Sequence, residues 1–230
     1  MEGTKEIDVK RHLEFSTFYR WHHWVRFFAV TLLIASGFYL AYPFLSPEPT
    51  GEPTGFLFAI NRSLHMVFGF VLISMFIGKT YYFFFVRSDR NEIRSIKDVF
   101  SIKKWMKQIG YYLFMSKHPA TSGTYNVVQF MAYMALYLIL ALLIITGLVL
   151  YVHSYHEGLA GMLYEPMRYI EMLFGGLVVV REVHHILTWV LMFFIITHIY
   201  MAIFSAIYGK EGTIESIFSG YKWSNPHSEE

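Results

Sequence analysis

Four apolar runs, each about 20 residues or longer, set what this 230-residue chain can become. They cover about residues 22–42, 63–86, 125–152 and 183–208. A hydrocarbon core of roughly 30 Å takes about 20 helical residues to cross. Lipid offers the backbone no hydrogen-bond partner, so each run is expected to close its own bonds as a transmembrane helix. None of the four contains Asp or Glu; Glu182 only borders the last. The rest of the composition agrees, with 55% hydrophobic and 19% aromatic residues against 16% charged. There is no cysteine, which excludes disulfides, thiolate-held iron–sulfur clusters and thioether-linked haem within this chain. Residues 1–20 are polar and charged, so no cleavable signal peptide is expected and the first run serves as its own insertion signal. The expected fold class is an all-α membrane protein, a four-transmembrane-helix bundle forming a single domain over residues 1–230.

The connecting segments alternate in charge. Lys5, Lys10, Arg11 and Arg20 precede the first span, and eight basic residues lie between Arg87 and Lys117. The segment 43–61 has no Lys or Arg and carries Glu48 and Glu52, and 153–182 has only Arg168 and Arg181. The positive-inside rule puts both termini and the 87–124 segment in the cytoplasm of a bacterial inner-membrane, multi-pass protein. Spans one and three then run outward, and two and four inward. Residues of about 95–117 set Ile96, Val99, Phe100, Ile109 and Leu113 against Lys97, Lys103, Lys104 and Lys107, the pattern of a basic helix on the cytoplasmic lipid surface. Residues 159–180 are apolar enough to suggest a fifth span, but Glu165, Pro166, Arg168 and Glu171 make that costly. A partly helical outer loop is expected there.

Ionisable residues inside spans need a reason, and histidines fall in or at the ends of three of them: His22 and His23, His65, and His184, His185 and His198. His184 and His198 are 14 residues apart on one helix, hence within roughly 40° of the same face and about 21 Å apart along the axis. They can serve two separate centres but not one ion. His185 points to another face. With the orientation above, His65 and His184 share the outer depth, and His23 and His198 the inner depth. Each pair can supply both axial nitrogens of a low-spin haem. Zinc or proton transport also uses histidines, but such sites recruit carboxylates that these spans lack.

Neighbouring residues suit a flat macrocycle. Gly69, Thr188 and Ala202 each follow a candidate ligand by four residues on its face, which also suits plain helix–helix contact. Arg20, Arg62 and Arg181 each precede a candidate ligand by three, placed either to pair with haem propionates or to anchor at the interface by snorkelling. Trp21, Trp24 and Tyr42 fit an interfacial aromatic belt.

Several segments carry a resemblance: Arg20–Trp–His–His–Trp24, Arg62–Ser–Leu–His65, the Ile–Thr–Gly run ending at Gly147, His184 with His198–Ile–Tyr–Met–Ala202, and Ser219–Gly–Tyr–Lys222. Through them nearly the whole chain resembles the b-type cytochrome subunit of membrane-bound, quinone-reducing [NiFe]-hydrogenases, and more distantly the cytochromes of respiratory formate dehydrogenases. The resemblance implies His23 rather than His22, and His184 rather than His185, as ligands. It implies two non-covalent haems b, with His65 and His184 on the periplasmic side and His23 and His198 on the cytoplasmic side. Electrons would arrive from an iron–sulfur small subunit and leave to a quinone, by resemblance menaquinone. Hydrogen chemistry would belong to the large subunit. The segment Asn126–Val–Val–Gln129 resembles the quinone-site stretch of the formate dehydrogenase relatives, although many hydrogenase cytochromes have Asn-Pro where this chain has Asn126–Val127. A helix cap at Asn126 is the other reading of that segment. The alternatives are a formate dehydrogenase or thiosulfate reductase cytochrome, and a haem-free membrane anchor or transporter. Membrane lipid is an expected partner and nucleic acid is not.

Overall fold

The computed structural model describes residues 10–44, 56–86, 94–116, 121–123, 125–209 and 212–224. The acidic segment with Glu48 and Glu52, and the basic residues Lys5, Arg87, Arg90 and Lys117, lie outside them. Four helices are long and apolar enough to cross a membrane: α1 (Thr17–Ala41), α2 (Phe56–Phe85), α5 (Val127–Val152) and α7 (Leu177–Phe204). α7 runs on as a π-helical turn over Ser205–Gly209. Their outer faces carry large exposed side chains such as Phe27, Phe28, Ile77, Phe193 and Ile196, as suits surfaces that meet lipid rather than water. α2 and α7 begin about six residues before the apolar runs do. Asn61 and Arg62 therefore lie within α2, and Arg181 and Glu182 within α7.

Two short elements, α3 (Ile96–Val99) and α4 (Ile102–Tyr112), occupy the basic segment in place of one continuous helix. Asp98 breaks it. Its side chain is buried, accepts from Lys104 Nζ at 2.6 Å and from the Ser122 backbone N–H at 2.8 Å, and so fastens the segment to the approach to α5. The expected outer loop is mostly one helix, α6 (Leu159–Phe174), which contains Pro166 and is too short to cross. It closes on Gly175 in the left-handed conformation that caps helices.

A two-stranded antiparallel sheet, absent from the all-α expectation, pairs β1 (Lys10–Leu13) with β2 (Tyr221–Ser224). The short helix α8 (Thr213–Ser219) precedes β2 and ends on Gly220 at φ +87°. A Cβ on Gly220 would come within 2.7 Å of the Phe15 carbonyl oxygen, so backbone sign and close approach both require glycine. The Gly220 carbonyl accepts from the N–H groups of Glu14 and Phe15. Arg20 Nη1 donates to the Phe218 carbonyl at 2.7 Å, at the C-terminal end of α8, where a cation is favoured. β1 precedes the first long helix and β2 follows the last, so their pairing fits an even number of crossings.

The chain divides into two compact units. One comprises Met1–His23, Tyr82–Ala135 and Phe193–Glu230; the other comprises Trp24–Tyr81 and Leu136–Met192. Each contains one histidine pair.

Candidate haem centres

In the second unit, α2 supplies His65 and α7 supplies His184. Their ring centroids are 6.4 Å apart with planes at 70°. Each ring is held from behind. His65 Nδ1 lies 3.0 Å from Ser36 Oγ on α1, and His184 Nδ1 lies 2.8 Å from Thr146 Oγ1 on α5. The other ring edges face a largely apolar cleft with about 730 Å³ of empty space, open mouth included. Gly69, Gly147 and Thr188 line it, together with Leu and Ile side chains. A Cβ on Gly69 would meet nothing within 4 Å, so this position leaves the cleft open. The Thr188 hydroxyl donates to the His184 carbonyl, hiding its polarity within the helix.

In the first unit, His23 on α1 and His198 on α7 also stand 6.4 Å apart between ring centroids, with planes at 43°. Phe194 stacks near His198 at 6.1 Å and 10°, and Tyr133 lies 6.3 Å away. Tyr125 packs edge-on to Tyr133 at 4.8 Å, linking His198 to the start of α5. There Asn126 and Gln129 form a reciprocal cap. The Asn126 carboxamide oxygen accepts from the Gln129 N–H at 2.9 Å, and the Gln129 oxygen accepts from the Asn126 N–H at 3.2 Å. Asn126 Nδ2 donates to the Tyr112 hydroxyl, and burial raises the affinity of that phenol for its proton.

His185 accepts a hydrogen bond from Trp189 Nε1 at 3.1 Å and meets Phe38 edge-on. His22 is buried against Phe18. The Arg62 guanidinium lies 5.6 Å from the Tyr155 ring centre, within cation–π range. Arg20 is engaged with Phe218 and Thr17, and Arg181 is exposed.

The spacing of the pairs tests whether iron fits. A metal–imidazole bond is about 2.0–2.1 Å and the nitrogen lies about 1 Å beyond the ring centre, so an ion held from both sides keeps the two centroids about 6 Å apart. Both pairs meet that spacing. Among the described residues no group of three or more His, Cys, Asp or Glu side chains gathers; a centre at either pair would take two protein ligands and its remaining ligands from elsewhere, as a porphyrin provides.

The profile of the prokaryotic cytochrome b561 family matches residues 14–220. The chain belongs to this family. As a b-type cytochrome it takes haem b, the non-covalent form, in keeping with the absence of cysteine. Among similar cytochromes, one from Escherichia coli K12 bears the name probable Ni/Fe-hydrogenase 1 B-type cytochrome subunit. It is 27% identical over 95% of this chain and 93% of its own length. Probable Ni/Fe-hydrogenase B-type cytochrome subunits from Rhizobium leguminosarum bv. viciae and Cupriavidus necator are 25% and 26% identical, over 95% and 87% of this chain and 91% and 82% of their own lengths.

Two sets of contacts lie outside the sequence expectations. Ser36 touches His65, and its signal was a hydroxyl in mid-span followed by glycine, as at Thr146–Gly147. Within α6, Glu171 bonds His153 at 2.7 Å and Arg168 at 2.8 Å. The bond from His153, outweighing burial and aided by Arg168, holds the Glu171 carboxyl below the usual carboxylate range.

Proposed function

We propose that this chain is the membrane cytochrome b subunit of a periplasm-facing [NiFe]-hydrogenase. It would carry two haems b, ligated by His65 with His184 on the periplasmic side and by His23 with His198 on the cytoplasmic side, and pass electrons from the iron–sulfur small subunit to menaquinone. One observation carries the reading: two separate histidine pairs, each at 6.4 Å, in a chain whose family relatives are named as hydrogenase cytochromes. Haem b, when bound, supplies a one-electron relay between ferric and ferrous iron.

The chain's own residues do the rest. The four imidazoles present nitrogen lone pairs, and the apolar lining of the His65–His184 cleft keeps water from that centre. Arg62 and Arg181 stand within one helical turn of the proposed periplasmic ligands, where a guanidinium pairs with a propionate; Arg20 holds the same place before His23 but also clamps the C-terminus of α8. Asn126, Gln129 and Tyr112 make a polar cluster joined to His198 through Tyr125 and Tyr133, and offer hydrogen bonds to a quinone carbonyl. Gln129 keeps its Nε2 donor outside the cap.

Oxidation of hydrogen releases two protons and two electrons on the hydrogenase side. Quinone reduction at the Asn126 cluster takes up two electrons and, from the cytoplasm, two protons. Charge therefore crosses as electrons, with no proton pump. Sealed vesicles containing the complex should develop a potential, positive on the hydrogenase side, when given hydrogen and a menaquinone analogue. Asn126→Ala or Gln129→Ala should stop quinol formation while hydrogen still reduces both haems. Turnover with no potential would place quinone reduction on the hydrogenase side and refute the arrangement.

A further inference from the structure

We propose that Ser36 and Thr146 are a matched pair of positioning residues that fix the tautomer and ring plane of His65 and His184 and thereby set the electronic character of the haem between them. The proposal rests on the reading of those two histidines as axial ligands. A hydroxyl has one proton and two acceptor lone pairs. In both residues the proton is committed to the residue's own helix. Ser36 Oγ donates to the Leu32 carbonyl at 2.6 Å, and Thr146 Oγ1 donates to the Leu142 carbonyl at 2.7 Å. The oxygen can then only accept from the imidazole, so His65 Nδ1 and His184 Nδ1 carry hydrogen. The lone pair is left on Nε2 of each ring, available to iron.

The device occurs twice, on different helices. α1 brings Ser36–Gly37 to the His65 of α2, and α5 brings Thr146–Gly147 to the His184 of α7. In each dipeptide the hydroxyl orients the ring and the glycine lets it sit close. A Cβ on Gly37 would lie 3.1 Å from His65 Cε1, and one on Gly147 would lie 3.4 Å from His184 Cε1. Both hydroxyl residues are buried, Ser36 at 4% and Thr146 at 0% exposure. Bonding of a hydroxyl to the carbonyl four residues back is common in membrane helices. Thr31, Ser74 and Thr197 do the same here, at Phe27, Phe70 and Phe193. That habit explains the backbone bond but not two hydroxyls set at the Nδ1 atoms of two facing imidazoles.

An acceptor behind the imidazole raises its basicity, which favours the ferric state. Ser36→Ala and Thr146→Val remove the acceptor and should raise the midpoint potential of this haem with its content unchanged, leaving the second haem alone. A tenfold change in the relative stabilisation of the two oxidation states reads as about 59 mV for one electron. The low-spin electron paramagnetic resonance signal of this haem should also move, because the ring planes are no longer pinned. Ser36→Thr and Thr146→Ser keep the acceptor and should restore both readings, and Ser74→Ala serves as a neutral control. Redox titration and low-temperature spectra of the purified subunit give these values. Unchanged potential and spectrum in Ser36→Ala and Thr146→Val would overturn the proposal. If Thr146→Val costs the haem, retention in Thr146→Ser supports it and loss from both overturns it. His65→Ala and His184→Ala separate the two claims. A haem that survives them removes the ligand reading itself, whereas its loss there, beside unmoved hydroxyl variants, removes only the role of the hydroxyls.

Discussion

Three glycines around the His65–His184 cleft give a graded test of how closely the helices must approach. At Gly37 an added Cβ meets His65 Cε1 at 3.1 Å, closer than an ordinary carbon–carbon contact of about 3.5–4.0 Å. The ring must give by several tenths of an ångström, yet it is tied to Ser36 next door. A forced departure of about 30° from a side-chain rotamer costs about 0.5–1.5 kcal/mol. Gly37→Ala should therefore weaken haem retention roughly two- to tenfold, since 1.4 kcal/mol is about a factor of ten. Gly147→Ala, at 3.4 Å, should have a smaller effect. Gly69→Ala meets nothing within 4 Å and should be neutral for ring geometry, whereas Gly69→Phe fills the space between the rings and should exclude haem. The assay is the rate at which excess apomyoglobin strips haem from the detergent-solubilised subunit, followed in the Soret band. A Gly147→Ala variant that loses haem faster than Gly37→Ala would refute this reasoning, and so would a Gly69→Phe variant that keeps it.

Further expectations follow from other contacts. His185→Ala should retain full haem, because that ring bonds Trp189 rather than another histidine; loss of haem there but not in His184→Ala would mean the facing pair is misassigned. Gly220→Ala should cost at least about 1–2 kcal/mol for the left-handed backbone alone, with the approach to Phe15 added, and a thermal melt should show the loss. Burial works to raise the Asp98 pKa, but the bonds from Lys104 and Ser122 outweigh it, so the folded pKa lies below the ordinary carboxylate value. Stability from this carboxylate is therefore complete above its unfolded pKa and is lost as pH falls through the folded one. Asp98→Asn should cost about 2 kcal/mol of stability at neutral pH, read as a lower melting temperature, and should flatten the fall of that temperature in acid; an unchanged acid profile would assign that fall to other groups.

The spans were legible because lipid tolerates few alternatives: a run of about 20 apolar residues has little choice but helix. Their ends were less so. Arg62 and Arg181 sit inside α2 and α7 although the apolar signal fades before them, since a long cation can reach the interface from within a helix. The histidine spacing on α7 was readable from helical geometry, because 14 residues nearly complete four turns. The β1–β2 pairing was not readable. Each strand is four residues long and its partner is some 200 positions away, beyond any local periodicity. Asp98 reads in sequence as one more charge on an interfacial helix, and its bond to the Ser122 backbone N–H emerges only in the folded chain. Ser36 stayed hidden for a similar reason. The Ser36–Gly37 dipeptide is its trace in the sequence, but a hydroxyl that bonds its own helix does not show which ring on the next helix it also touches.

Two haems on two separate histidine pairs can be counted directly. Pyridine haemochrome measured against quantitative amino-acid analysis of the purified subunit should give two haems b per chain. It should give one for His65→Ala, with the residual spectrum of the His23–His198 centre, and one for His23→Ala, with that of the His65–His184 centre. A native ratio near one, or loss of both haems from either variant while the chain still melts cooperatively, would contradict the account.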